Sequence, residues 1–375
     1  MKGCERVYNR FMNKLQRTEN PYTLQFSYIP PRIIERTVVT SEIIDNYLRD
    51  LPTYRGMFLT GVRGSGKTVM LGSVRNSIAS NINWITVDIN PESNILDSLA
   101  RRLYMIPELK ALFIKAKLDF SVLGLGLHIE DSGSVATTEE DALYIMLKAL
   151  KTAGKRVLVT VDEVTYSKDV AMFSHALSSF SNEGYEIYVL MTGLMENIRN
   201  IKNKKSLTFL YRAKIKELGG LNLNSIGRDY KETLGVDEKT AKELADITRG
   251  YSLGFQALGY HYYNELCEVK DRSEVNINKV LSEFDATLAE LSYDKIWDEL
   301  SATDIKILKA MLEISEDEGE VLIKVDKIRE RTEMSSDTFT KYRTRLLDSG
   351  VVDGSTYGHL KFSLPRFEEY IRGRG

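Results

Sequence analysis

From about Asn20 to Leu218 short apolar runs alternate with longer stretches of helical period. The runs centre on Phe58, on Trp84-Ile85-Thr86-Val87, on Val157 to Val161 and on Ile187 to Met191. Runs of this length without polar alternation predict strands buried on both faces, and helices between them predict a parallel sheet sandwiched by helices. Leu99 to Lys117 reads as helix interrupted at Pro107. Thr137 with Glu140 resembles a capping box ahead of a helix that begins near Asp141. Phe120 to Glu130 reads as a strand or hairpin inserted into the sheet domain. Its Gly124 and Gly126 are not a phosphate loop, because neither Lys nor a helix start follows.

From about Asn222 to Tyr293 the pattern turns helical. One helix is expected to stop at Gly250, and a later one carries a stripe of Tyr260, Tyr262 and Tyr263, read as packing rather than as a stacking platform. From about Asp298 comes an amphipathic helix, then a charged break over Glu313 to Glu320. Two further helices follow, the second opening at Ser336, and then two strand-like runs around a turn. That order is the layout of a winged helix. The expected organisation is an α/β sheet domain over 1–220, a small helical domain over 221–295 and a winged-helix domain over 296–375.

The chain has 375 residues, 43% of them hydrophobic, enough for two or three cores. No stretch approaches the roughly 18 to 20 uncharged apolar residues of a membrane helix, and the N-terminal residues lack the apolar middle of a signal peptide. A cytoplasmic protein without membrane contact is expected. Cys4 and Cys267 stand far apart, and His128, His175, His261 and His359 form no pair at ligand spacing, so neither a disulfide framework nor a zinc site is indicated. A net charge of −2 argues against a surface that traps nucleic acid everywhere, so any DNA contact must be local.

The decisive motif follows the apolar run Met57-Phe58-Leu59. Gly61, Val62, Arg63, Gly64, Ser65, Gly66, Lys67 and Thr68 match GxxxxGK[ST], and a helical stretch begins at Val69. Strand, glycine loop and helix start are the context in which this pattern cradles nucleotide phosphates, so all nine residues are assigned to phosphate binding. The glycines allow successive backbone amides to turn toward an anion, and the helix dipole adds to them. Lys67 would reach the β- and γ-phosphates, and the Thr68 hydroxyl would be a ligand of Mg2+.

About 90 residues on, the β-branched run ending at Val161 delivers Asp162 and Glu163, as a central parallel strand delivers acids at its C-terminal edge. Read with the loop as Walker A, this is Walker B: Asp162 would hold the metal, usually through water, and Glu163 would orient and activate the attacking water. A third strand ends at Thr192. Its hydroxyl suits a sensor of the γ-phosphate, and it could equally do no more than satisfy a strand end.

Between Val321 and Gly375 there are 11 Lys/Arg against eight Asp/Glu, an excess of three positive charges. Lys341, Arg343 and Arg345 lie on the helix that opens at Ser336, with His359 and Lys361 on the wing. Double-stranded DNA is the expected partner of this helix, and a protein partner is the alternative.

The GVRGSGKT loop, VLVTVDEV, MTGL, LTFLYRAKIKELGGL, GYSLGFQALGY and the C-terminal LSATDIKILKAM and LKFSLPRFEEYI together resemble bacterial AAA+ ATP-binding proteins of the Orc1/Cdc6-like group, relatives of archaeal ATPases and STAND proteins. The resemblance spans nearly the whole chain. It implies a P-loop NTPase sheet, a helical lid and a winged-helix tail, ATP and Mg2+ as ligands, and ATP hydrolysis to ADP. It also implies that Asn20 to Arg36 encloses adenine and ribose, and that Arg212 is an arginine finger offered to a neighbouring subunit. Arg212 could instead cap a helix or pair with an acid. Initiators of this group carry a lid arginine where this chain has Leu253, with Arg249 the nearby substitute. Two functions are therefore in view. One is an oligomerising ATP-driven switch or machine acting on DNA; the other is a STAND-like regulatory NTPase that signals to a protein partner.

Overall fold

The structure, a computed structural model, describes residues 19–25, 29–115, 118–119, 134–135 and 138–374. The Phe120 to Glu130 insertion and Thr137 fall outside them. The chain divides into two compact units. Of the described residues, one comprises those within 36–62 and 66–219; the other comprises those within 19–35, Arg63–Ser65 and 220–374.

The first unit is built on five parallel strands: β1 (Gly56–Thr60), β2 (Trp84–Ile89), β5 (Arg156–Val161), β6 (Ile187–Gly193) and β7 (Lys214–Glu217), in the order β2-β5-β6-β1-β7. A two-stranded pair, β3 (Leu118–Asp119) and β4 (Ser134–Val135), stands apart from this sheet. Side chains alternate between two buried faces, as period-two geometry requires. Val157, Val159, Val161, Ile187, Val189 and Met191 join one apolar cluster, whereas Leu158, Tyr188 and Leu190 join the other. Helices α1 (Thr37–Leu48) and α2 (Lys67–Ala79) cover the second face with Ile43, Tyr47, Met70, Leu71 and Val74. The first face is covered by α3 (Ile95–Met105), α4 (Pro107–Lys115), α5 (Glu139–Thr152), α6 (Lys168–Asn182), α7 (Met195–Lys202) and α8 (Thr208–Arg212). The expected parallel sheet between helical layers is thus observed. Pro107 occupies the first position of α4, where its missing N–H costs nothing. The capping box before α5 sits one residue later than expected, on Thr138 and Asp141.

In the second unit α9 (Leu223–Leu234), α10 (Glu238–Ile247), α11 (Ser252–Glu268) and α12 (Ile277–Leu288) are followed by a π-helical turn, Ala289–Tyr293, and by α13 (Asp294–Glu299). The N-terminal segment packs here: Tyr22 is buried edge-on against Tyr230 and Phe255, and its hydroxyl donates to Asp229 at 2.8 Å. Then come α14 (Ala302–Glu318), β8 (Ile323–Lys324), α15 (Val325–Thr332), α16 (Ser336–Ser349), β9 (Val352–Asp353), β10 (His359–Phe362) and α17 (Phe367–Gly373). The three strands form an antiparallel sheet in the order β8-β10-β9. Two differences from the sequence reading stand out. α14 runs through most of the charged break and stops at Gly319, which adopts a left-handed conformation. β8 adds a third strand where only two were expected.

Candidate nucleotide site

Three adjacent strands bring the candidate residues of the first unit to one sheet edge. The register pairs Thr60 with Gly193 and Leu59 with Thr192 across β1 and β6, and Val161 with Met191 across β5 and β6. The phosphate loop leaves β1, Asp162 and Glu163 leave β5, and Thr192 finishes β6, all at the carboxyl end. In open parallel sheets this is the edge where ligands bind.

Hydrogen bonds join these residues into one network. The Thr68 hydroxyl donates to Asp162 Oδ2 at 2.7 Å. The buried Thr192 hydroxyl donates to Asp162 Oδ1 and accepts the Glu163 N–H at 2.9 Å. The Val164 N–H donates to the Thr192 carbonyl at 2.7 Å, so Thr192 holds the turn after β5 with both its side chain and its backbone. Glu163 projects into solvent with φ of 53°, in the left-handed region that residues other than glycine seldom occupy. Backbone of this kind clusters at functional sites, held by surroundings that over-determine it. The Lys67 ammonium is largely buried and donates to the carbonyls of Gly61 at 2.9 Å and Val62 at 3.1 Å, the loop's own entry. Gly66 precedes α2 with φ of 88°, a conformation that costs glycine nothing.

The donor set suits a hard cation: a hydroxyl and a carboxylate in contact offer the oxygen ligands Mg2+ prefers. It offers no thiolate or imidazole.

The loop tip, Arg63, Gly64 and Ser65, groups with the second unit. There Arg63 Nη2 lies 3.2 Å from Glu299. Tyr251, Ser252 and Leu253 bond Arg63, Ser65 and Gly64 of the tip, one each. In the sequence the GYSLG segment carries the resemblance and places Leu253, and it gives Tyr251 no role of its own, because a lone tyrosine before a helix carries no chemistry-bearing motif. Arg249 is not available as a replacement lid arginine. Its Nη1 donates to the carbonyls of Phe362 and Leu364, and its Nη2 pairs with Glu368 at 2.7 Å. Arg212 is exposed at the C-terminal end of α8 and makes no described bond to Thr68, Asp162 or Thr192.

The basic residues of α16 do not share one fate. Lys341 is exposed. Arg343 is half-buried beside Gly354. Arg345 turns inward, with Nη1 at 3.4 Å from the fully buried Asp304 carboxylate and Nη2 donating to the Glu299 carbonyl at 3.0 Å. On β10, Lys361 pairs with Asp353 at 3.2 Å. The tip of the β9-β10 turn instead presents a wholly exposed Tyr357.

With this geometry in view, comparison with solved structures decides the fold. The chain aligns with the ORC2 protein of Aeropyrum pernix, solved as ADPNP-ADP complexes, at a TM-score of 0.57 and 15% identity over 93% of this chain and 96% of that one. The chain shares the fold of that protein. The ADP form of the same Aeropyrum protein gives a TM-score of 0.48 at 15% identity, and CDC6P of Pyrobaculum aerophilum gives 0.48 at 14%; both cover 93% of this chain and 96% of theirs. A family model described as a domain of unknown function, DUF8462, matches residues 290–371. No curated protein matches the chain. Among the described residues, no helix is long and apolar enough to cross a membrane. Within this fold, β1, β5 and β6 are the strands whose ends carry the loop, the two acids and Thr192.

Proposed function

We propose that this chain is a Mg2+-dependent AAA+ ATPase that binds ATP on the Gly61–Val69 loop and uses hydrolysis to switch the state of an assembly. The observation that carries the reading is the contact between Thr68 and Asp162. The two residues, 94 positions apart and singled out for the same metal, have their side chains in contact at the sheet edge where one ligand would bind both. Lys67 would exchange its two loop carbonyls for phosphate oxygens, placing a compact positive charge against the β- and γ-phosphates. Bound Mg2+ would supply charge neutralisation on the triphosphate, with Thr68 and Asp162 as the residues that hold it. Glu163 would accept the proton of the attacking water. Glu163 is exposed while its N–H is tied to Thr192 and Asp162, so its backbone is fixed at the edge where the water would attack. Thr192 would hold the metal carboxylate and the backbone of the base together, because its hydroxyl donates to Asp162 and accepts the Glu163 N–H. Arg212 would act on a neighbouring subunit's nucleotide, in keeping with its exposure and its lack of a described bond to its own chain's site.

The C-terminal elements have the order of a winged helix, and DNA is the partner proposed for α16 through Lys341 and Arg343. The inward turn of Arg345 favours the second reading, in which this module docks a protein and the chain is a STAND-like regulator, since it removes one of three expected phosphate contacts. ATPase rate measured with and without duplex DNA over a protein dilution series separates these readings. A specific rate that rises with protein concentration and with DNA is expected for the DNA-acting assembly, and a rise with concentration alone for the protein-docking regulator. Absence of hydrolysis under every condition would remove the ATPase itself.

A further inference from the structure

Three consecutive carbonyls of the loop tip are each bonded by one of three consecutive residues at the start of α11. The Tyr251 hydroxyl donates to the Arg63 carbonyl at 2.6 Å, the Leu253 N–H to the Gly64 carbonyl at 3.1 Å, and the Ser252 hydroxyl to the Ser65 carbonyl at 2.8 Å. Tyr251 is 5% exposed, and its hydroxyl is shared with fully buried Ser292 of the π-helical turn at 2.8 Å. A side chain added at Gly64 would collide with this hydroxyl, and φ of 75° there disfavours one as well.

We infer that Tyr251 and Ser252 are positioning residues for the phosphate loop, a clasp that fixes the direction of its amides through its carbonyls. In a trans peptide the carbonyl of one residue and the N–H of the next point in opposite directions, and no cis peptide occurs among the described residues. Holding the carbonyls of residues 63, 64 and 65 toward α11 therefore sets the N–H groups of Gly64, Ser65 and Gly66 facing away from it. An anion nest needs successive amides turned to one side. A loop already held in that orientation loses less conformational freedom when phosphate arrives. The clasp also gives Gly64 a role beyond backbone freedom, because the loop must lie against Tyr251 with no Cβ between them. The inference rests on the phosphate-loop reading above.

The test uses the full chain with Tyr251→Phe, which removes one hydroxyl and keeps the ring, and with the double variant Tyr251→Phe/Ser252→Ala. Two quantities are read under conditions where urea titration shows the proteins fully folded: affinity for a fluorescent ATP analogue with Mg2+, and amide hydrogen exchange over Gly64–Thr68 without nucleotide. Loss of one hydrogen bond that favours the bound form predicts about fivefold weaker binding for Tyr251→Phe. A larger loss is expected for the double variant, with faster exchange at Gly64, Ser65 and Gly66 in both. Lowered stability with unchanged affinity and unchanged exchange would show a structural contact only and overturn the clasp. If the wild-type chain binds no nucleotide, exchange still decides the clasp: faster exchange in the variants supports it while the ATP reading falls. The single variant keeps the test valid should the double variant fail to fold.

Discussion

Replacing Thr192 by Val removes one hydroxyl from the sheet edge and almost nothing else, since the two side chains have nearly the same shape. The position is fully buried, so no water takes the hydroxyl's place at the strand. Two bonds are lost, the one given to the Asp162 carboxylate and the one accepted from the Glu163 N–H. A hydrogen bond to a charged group contributes about 1.5–3 kcal/mol and a neutral one about 1 kcal/mol. Asp162 is only half-buried and keeps the Thr68 hydroxyl, so the lower end of the first range applies. The Glu163 N–H also keeps Asp162 Oδ1 as an acceptor, which lowers the second contribution, so the expected destabilisation of the sheet unit is about 2 kcal/mol. The Glu163 turn would keep the bond from the Val164 N–H to the Thr192 carbonyl and the longer one, 3.2 Å, from the Glu163 N–H to Asp162 Oδ1, and a base held less firmly loses rate; a drop in kcat of about 10²-fold is the order expected for displacing a general base. Thr192→Ser, which restores the hydroxyl, should recover most of the rate while still lacking the methyl group's packing. Urea unfolding and steady-state hydrolysis on the wild-type, Val and Ser proteins form the assay. A Val variant with wild-type stability and turnover would refute the reasoning that Thr192 organises the acids.

Other expectations follow from particular contacts. Arg212→Ala should retain nucleotide binding and lose turnover, with wild-type turnover falling on dilution; activity unaffected by either change would end the arginine-finger assignment. Arg345→Ala should destabilise the helical unit by about 1–2 kcal/mol, because buried Asp304 loses its cationic partner although the arginine itself is partly solvated. Lys341→Ala should leave stability unchanged and weaken duplex binding at low salt, read by fluorescence anisotropy. Equal effects of the two substitutions on stability would contradict the placement of their side chains.

The central sheet was legible because both its faces are buried: a run such as Val157 to Val161 has no reading other than an interior strand once the loop and helix beside it are recognised. The ends of elements were harder to read. Glu313 to Glu318 looks like a break because like charges oppose one another. In the fold Arg331 pairs with Glu313 and Asp317, Arg372 with Glu316, and Lys327 with Glu318, so the helix continues to Gly319. Those partners come from other elements, and no local pattern announces them. The same holds for Arg345, whose charge suggests a surface role until buried Asp304 is placed beside it. The cap at Thr138 rather than Thr137 was a choice between two adjacent threonines, each followed three residues later by an acid. At the site, residue types and spacing were enough to nominate Thr68 and Asp162, whereas the bonds of Thr192 and the clasp of Tyr251 depend on strand register and on a distant helix start.

The most direct measurement is nucleotide binding and hydrolysis on three proteins side by side: wild type, Lys67→Ala and Glu163→Gln, each titrated with ATP and Mg2+. The account predicts that wild type binds and hydrolyses, that Lys67→Ala loses binding, and that Glu163→Gln binds as wild type while its turnover falls by about 10²-fold or more. A wild-type chain that binds no nucleoside triphosphate, or a Glu163→Gln protein that hydrolyses at the wild-type rate, would contradict it.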